Sequence, residues 1–162
     1  MKLDEKDLKI LDLLQQDANI SNKEISAATH LTLTPVYERI KKLNAMGLLL
    51  KKVFLLNRKK LGLNVMVLVS VSIEKHSGEG AQAFMNEIRK IPEVAECLHV
   101  TGAFDFQLKV YARDIEHYHD FNFKKLASIK NVRHMESYFV MNEVINTTCL
   151  PLFENSGPNE QV

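Results

Sequence analysis

Lys41, Lys42, Lys51, Lys52 and Arg58 lie close together in the chain, and between Pro35 and Lys60 only Glu38 opposes them. Clustered ammonium and guanidinium groups neutralise a phosphate backbone and release its counterions. Interleaved with them are Thr34, Tyr37 and Glu38, whose side chains donate or accept hydrogen bonds. On a helix advancing roughly 100° per residue, Val36, Ile40, Leu43 and Gly47 fall on one side. Tyr37, Glu38, Lys41, Lys42 and Ala45 fall on the other. This pattern suits a helix with one packed side and one side that meets base edges in the major groove of duplex DNA. Arg39 lies between the two sides, placed either to bond a phosphate or to brace Glu24 or another acid. Lys51 and Lys52 extend the basic stretch, and Arg58 with Lys59 and Lys60 forms a basic connection that either touches DNA or is simply solvated.

Residues suited to other chemistry do not assemble. His117 and His119 are two apart on a predicted helix and so face different sides, while His30, His76, His99 and His134 are scattered. The chain has no Ser/His/Asp motif, no glycine loop to cradle a phosphate, and no paired carboxylates in a catalytic setting. Cys97 and Cys149 have no CxxC or His partner spacing, which argues against a disulfide framework or a zinc site. Neither catalysis nor a metal or cofactor is expected.

The elements that must position the basic helix are readable. Asp4 caps a first helix with an acidic first turn and an apolar face of Leu8, Ile10, Leu11 and Leu14, ending near Asp17. Ser21 and Glu24 form a capping box for a short second helix that stops around His30. Thr34 and Pro35 mark the start of a third, with threonine as cap and proline in the first turn; Gly47 closes it. Two short helices joined by residues 31–34 and braced by a first make a helix-turn-helix, in which the third helix enters the major groove. The stretch Leu48–Asn57 suits a small strand pair or wing.

Charge supports two jobs for the chain. Of its 21 Lys/Arg and 20 Asp/Glu residues, residues 1–60 hold 12 basic and 7 acidic, and the remainder 9 basic and 13 acidic. A basic half joined to an acidic one points to a polyanion-binding domain over 1–60 and a different domain over 61–153, with a polar tail at 154–162 that frays. No apolar run approaches the length that spans a bilayer, and the acidic start Met1–Glu5 is unlike a signal peptide, so a cytoplasmic protein is expected.

In the second domain Val65, Val67, Val69, Val71 and Ile73 alternate strictly, as in a strand with one apolar face. A turn at His76–Gly80 precedes a helix over Ala81–Lys90 that Pro92 ends. Strands over Val94–Thr101 and Phe106–Ala112 are joined by a turn at Gly102-Ala103. A helix over Ile115–Ala127 and a strand over Val132–Asn142 follow. The order β-α-β-β-α-β is that of a ferredoxin-like sheet with helices on one face. The fold class is therefore α+β: an N-terminal winged helix-turn-helix, then a ferredoxin-like βαββαβ domain. The opposite sheet face is expected to be polar or covered, and apolar side chains on several strands favour cover by another subunit.

Together these pieces resemble the Lrp/AsnC, or feast/famine, family of transcription regulators over about residues 3–152. The matching segments are Leu3-Asp4 with Leu8–Leu11, Ser21–Glu24, Thr34–Leu43, Val100–Phe106 and Tyr138–Val144. The resemblance implies a homodimer formed through the sheets, dimers assembling to an octamer, and an amino-acid effector bound between dimers. It places Gly102, Ala103, Phe104 and Asp105 at that site and links Tyr138, Phe139 and Val140 to the response, with His99 and Ile115 nearby. Glycine lets backbone amides approach a carboxylate, and Asp105 suits an α-ammonium group. Ala103 stands where many members carry an acidic or polar residue, which favours a neutral or apolar amino acid. Two rivals share the architecture: a tetrapyrrole-pathway decarboxylase using His99 or His134, and a DNA-compacting protein without an effector.

Overall fold

Helix ends in the first sixty residues are set by short-range hydrogen bonds. The structure is a computed structural model and describes residues 3–74 and 78–152. α1 (Glu5–Gln16) starts from Asp4, whose Oδ1 accepts from the Asp7 amide at 2.8 Å, while the Asp7 carboxylate accepts from the Asp4 amide at 3.4 Å. α2 (Asn22–Thr29) starts from the expected box, with the Ser21 amide donating to Glu24 Oε2 at 2.9 Å. It ends at His30, which adopts the left-handed conformation, φ 55°.

α3 (Leu33–Ala45) begins earlier than the sequence suggests. Its N-cap is Thr32, which makes no side-chain capping bond, so Thr34 and Pro35 lie inside the first turn. Proline is tolerated there because the first four helical amides have no partner in the helix. Ile10, Ile25, Val36 and Leu43 are fully buried where the three helices meet. Each such side chain contributes about 1.5–3 kcal/mol relative to exposure. Residues 48–57 run without strand pairing within the chain.

Two units result. One comprises the described residues up to Phe54 together with 145–152; the other is Leu55–Val144. Local contacts explain both breaks. Arg58 is fixed inside the second unit by Glu143 and by the carbonyls of Leu63 and Asn64. Leu150 is fixed inside the first by Gln15, whose amide clasps its backbone: Gln15 Nε2 donates to Leu150 O at 2.9 Å, and the Leu150 amide donates to Gln15 Oε1 at 2.8 Å.

The second unit holds β1 (Val65–Ile73), α4 (Gly78–Ile88), β2 (Val94–His99), β3 (Phe106–Ala112), α5 (Ile115–Phe121) and β4 (Val132–Phe139). The sheet order is β2-β3-β1-β4, all neighbours antiparallel. Val67, Val69, Val71 and Ile73 of β1 and Phe106, Leu108 and Val110 of β3 point to the helix layer, where they bury against Phe84, Ile88, Tyr118, Phe121 and Leu126. Of the expected turn at His76–Gly80, His76 and Ser77 lie outside the described residues, and 78–80 already belong to α4. The tail expected to fray over 154–162 also lies outside them.

The helix expected to run unbroken over Ile115–Ala127 changes type. After Phe121 it becomes a π-helical turn, Asn122–Leu126, with the Ala127 amide bonded to Asn122 O at 2.9 Å. The apolar spacing gives the reason. Tyr118 and Phe121 are three apart and suit an α-helix, but Phe121 and Leu126 are five apart. An α-turn would place Leu126 well off the buried face, whereas i→i+5 bonding returns it to the core.

The opposite sheet face, expected to be polar or covered, is largely polar. Beside Met66, Leu68 and Leu98 it carries Ser70, Ser72, Glu96, Gln107, Lys109, His134, Glu136 and Tyr138, by the strand registers. Ser70 Oγ lies 2.9 Å from Gln107 Oε1, and Lys109 Nζ lies 2.6 Å from Glu96 Oε2.

Candidate nucleic-acid interface and effector turn

Burial divides α3 as its periodicity requires. Val36 and Leu43 are buried, while Thr34, Pro35, Tyr37, Glu38, Lys41 and Lys42 are exposed. Thr34, Glu38, Lys41 and Ala45 fall within roughly 40° of one line along the helix, with Tyr37 and Lys42 to either side. Lys51 and Lys52 are exposed just beyond. Lys41, Lys51 and Lys52 have no ion-pair partner among the described residues, so their charge is available to an outside anion.

The two arginines of the basic stretch are committed. Arg39 Nη1 lies 2.9 and 2.7 Å from the two Asp4 carboxylate oxygens and 2.5 Å from Asp7 Oδ1. Of the two roles left open for Arg39, the geometry gives the brace, toward α1 acids rather than Glu24, which its own capping box occupies. Asp7 is 1% exposed, and such a carboxylate needs a cation beside it. The two acids raise the Arg39 pKa further above its already high value, through hydrogen bonds to Asp4 first and Asp7 second. The Asp7 amide and Arg39 in turn hold the Asp4 carboxyl below its ordinary range. Lys42 also leans on Asp7, at 3.9 Å, but remains largely exposed. Arg58 likewise leaves the phosphate-facing set. It pairs with Glu143 at 2.5 Å and lies over the Tyr111 ring, 5.6 Å from the centroid.

On the second unit, the turn between β2 and β3 is docked on the end of β1. Gly102 has φ 121°, a conformation that favours glycine. Asp105 closes the turn three ways: its amide donates to Val71 O, its carbonyl accepts from the Val100 amide, and its Oδ2 accepts from the Ile73 amide, each at 2.9 Å. One carboxylate oxygen is thus engaged in shaping the turn. Phe104 stacks on His134 with ring centroids 6.2 Å apart.

The remaining effector candidates do not join this turn within one chain. Tyr138 is four residues beyond His134, about 13 Å along β4. Its hydroxyl donates to Glu136, which also bonds His134 at 3.2 Å. Those two bonds lower the Glu136 pKa, the tyrosine's first, and Glu136 in return raises that of Tyr138. Phe139 turns to the helix layer and meets Tyr118 edge-on at 5.3 Å. The Val140 amide donates to Met66 O at 2.9 Å. His99 stacks on Phe106 at 4.7 Å, and Ile115 is exposed at the start of α5. His99 and His134 sit on opposite edge strands of the sheet and do not converge as ligands. Among the described residues no three His, Cys, Asp or Glu side chains gather to hold a metal, and no helix is long and apolar enough to cross a membrane.

Sequence reasoning missed the Gln15 clasp and the groove beside it. Leu11, Leu14, Ile40, Leu48 and Leu150 line an open, mostly apolar hollow of about 830 Å³ that reaches Tyr37 and Lys41. The available signal was the leucine pair Leu150 and Leu152 recurring in a segment otherwise assigned to the sheet domain.

Residues 3–49 match the family model for a winged helix-turn-helix DNA-binding domain, and residues 66–150 match that of the Lrp/AsnC ligand-binding domain. The chain is 36% identical over 160 residues to the glutamate uptake regulatory protein of Zymomonas mobilis, covering 99% of this chain and 97% of that one. It is 33% identical over 150 residues to the DNA-binding transcriptional activator DecR of Escherichia coli, covering 93% and 99%. A transcriptional regulator from Neisseria meningitidis, solved as its L-methionine complex, superposes with a TM-score of 0.88 at 32% identity, covering 93% of this chain and 97% of that one.

Proposed function

The chain belongs to the Lrp/AsnC family of DNA-binding transcription regulators, and from that premise we propose that it reads paired DNA half-sites as a homodimer under the control of an amino acid. The observation that carries the DNA half is the uncovered α3 surface, where Thr34, Tyr37, Glu38 and Lys41 are exposed beside Lys51 and Lys52. Helix side chains of these types reach base edges, and free lysines neutralise phosphates. A two-fold assembly presents two such helices to spaced half-sites. Assembly through the sheets and onward to an octamer is part of this reading.

The effector half rests on the β2–β3 turn. Gly102 exposes backbone there, and Asp105 and the Phe104–His134 stack border it. An α-amino acid binds by its carboxylate and ammonium, and a second subunit supplies the rest of the site, because Tyr138 stands too far off in the same chain. One relative is named for glutamate uptake and another was solved with L-methionine. Ala103 favours a neutral or apolar side chain here. Binding that prefers one assembly shifts the populated state by its differential affinity. The protein acts in the cytoplasm and regulates rather than catalyses.

Replacing Lys41, Lys51 and Lys52 with alanine tests the DNA half. Each lost phosphate contact lowers the slope of log affinity against log salt by about 0.9. An unchanged slope removes these lysines from the interface. A thermal-shift screen of the twenty amino acids tests the effector half, since a ligand that prefers the folded state raises its melting temperature. No shift with any of them would leave the DNA-compacting alternative.

A further inference from the structure

We propose that Glu38 is a base-reading residue that accepts a hydrogen bond from the exocyclic amino group of cytosine in each half-site. The inference rests on the DNA-binding reading above and deepens it. Glu38 is exposed at the centre of the outward line of α3, one turn beyond Thr34 and one turn short of Lys41 and Lys42. It makes no hydrogen bond or ion pair among the described residues.

A structural role for this carboxylate would leave a trace, and none is present. As a helix-stabilising acid it would pair with Lys41 or Lys42, three and four residues on. Lys42 instead leans on Asp7 at 3.9 Å. As a brace it would take Arg39, but that guanidinium is held by Asp4 and Asp7. As a capping acid it would lie in the first turn, and it is the sixth residue of α3. Glu38 is an unpaired anion on the one surface of this unit that must approach a polyanion.

Such a group is repelled by phosphates and weakens sequence-independent binding. It is compensated only where DNA offers a donor. In the major groove the donors are cytosine N4 and adenine N6. Adenine sets its N7 acceptor beside N6, which suits an amide that both donates and accepts, whereas a carboxylate only accepts. Cytosine presents N4 beside a carbon, so a carboxylate meets a donor without an adjacent acceptor on the same base. The anion thus weakens binding to DNA in general and strengthens it where that cytosine is present.

The test is selection from a randomised duplex library with the full chain, the Glu38→Gln and Glu38→Ala variants, and binding to unselected duplex DNA. The wild-type pool is expected to carry a cytosine at one position of each half-site, and replacing that C·G pair should weaken wild-type binding roughly 5- to 100-fold. Glu38→Ala should lose the preference at that position alone, with tighter binding to unselected DNA. Glu38→Gln should shift the preference toward adenine. Variants that keep the wild-type preference at every position, or that lose affinity equally on all duplexes, would overturn the assignment. A wild-type chain that enriches no sequence would instead overturn the sequence-reading function on which it rests.

Discussion

Arg39→Met offers the sharpest test of how charge is used in the DNA-binding unit. The substitution keeps the aliphatic stem and removes the guanidinium. Asp7, 1% exposed, then loses its 2.5 Å partner and keeps the Asp4 amide at 3.4 Å and, as its one cation among the described residues, Lys42 at 3.9 Å. Leaving one member of a buried pair alone costs about 3–5 kcal/mol. Here Arg39 is 28% exposed and Lys42 stands by, so screening and partial replacement reduce this to about 2–3 kcal/mol. The Asp4 share faces water and adds little. For a unit of this size each kcal/mol moves the midpoint by about 4–8 °C, so the thermal transition of this unit should fall by about 10–20 °C. Calorimetry measures it, and salt-dependent DNA binding, taken well below that transition, separates brace from phosphate contact. The brace predicts an unchanged salt slope for the folded variant, and partial recovery of stability when Asp7→Ala is added. A variant that melts as the wild type does, yet loses close to one unit of salt slope, would refute the reasoning.

Other outcomes follow from local geometry. Gly102→Ala should destabilise the second unit by about 1–3 kcal/mol in denaturant titration, because φ 121° strains any L side chain while no atom beyond the two adjoining residues lies within 4 Å of the added methyl. A neutral result would show that the turn relaxes without glycine. Acid should act on the helix-turn-helix. Glu24 is held below its ordinary pKa of 4.5 by the Ser21 hydroxyl and then the Ser21 amide, and Asp4 below 3.8 by the Asp7 amide and then Arg39. Groups with depressed folded pKa values contribute stability above those ordinary values and lose it as pH falls through the folded ones. Melting temperature against pH should therefore bend downward below about pH 4, and Ser21→Ala should flatten the bend. An identical acid limb in that variant would remove Glu24 from the account.

Local signals carried the secondary structure. Ser21 and Glu24 are three apart and can satisfy each other without the rest of the chain, so the box is visible in four letters. The alternation in Val65–Ile73 likewise names its buried face. Sequence and structure part where more than the adjacent residues decides the outcome. Thr34 reads as a cap, but the chain turns two residues earlier and caps at Thr32. The π-helical turn arises because Leu126 must reach a core set by Tyr118 and Phe121. Gln15 looks like a surface residue near the end of α1 until the chain returns, 135 residues later, to be clasped by it.

The same distinction governs the sites. Between Pro35 and Lys60 the sequence shows a block of like charges without saying which of them are neutralised. Folding sorts them: Arg39 goes to Asp4 and Asp7, Arg58 to Glu143, and Lys41, Lys51 and Lys52 stay exposed without an ion-pair partner. Both arginines are drawn inward, where a planar fork reaches several oxygens at once, and the lysines are left outside as mobile point charges. That division suits a surface that approaches DNA of any sequence, because unpaired ammonium groups attract phosphate without reporting which base it carries. On the proposed reading, sequence preference then comes from the few outward groups on α3 able to distinguish one base from another, Thr34, Tyr37 and Glu38. On this arrangement, exchanging Lys41, Lys51 or Lys52 for arginine should alter affinity more than sequence preference, and exchanging Glu38 should do the reverse.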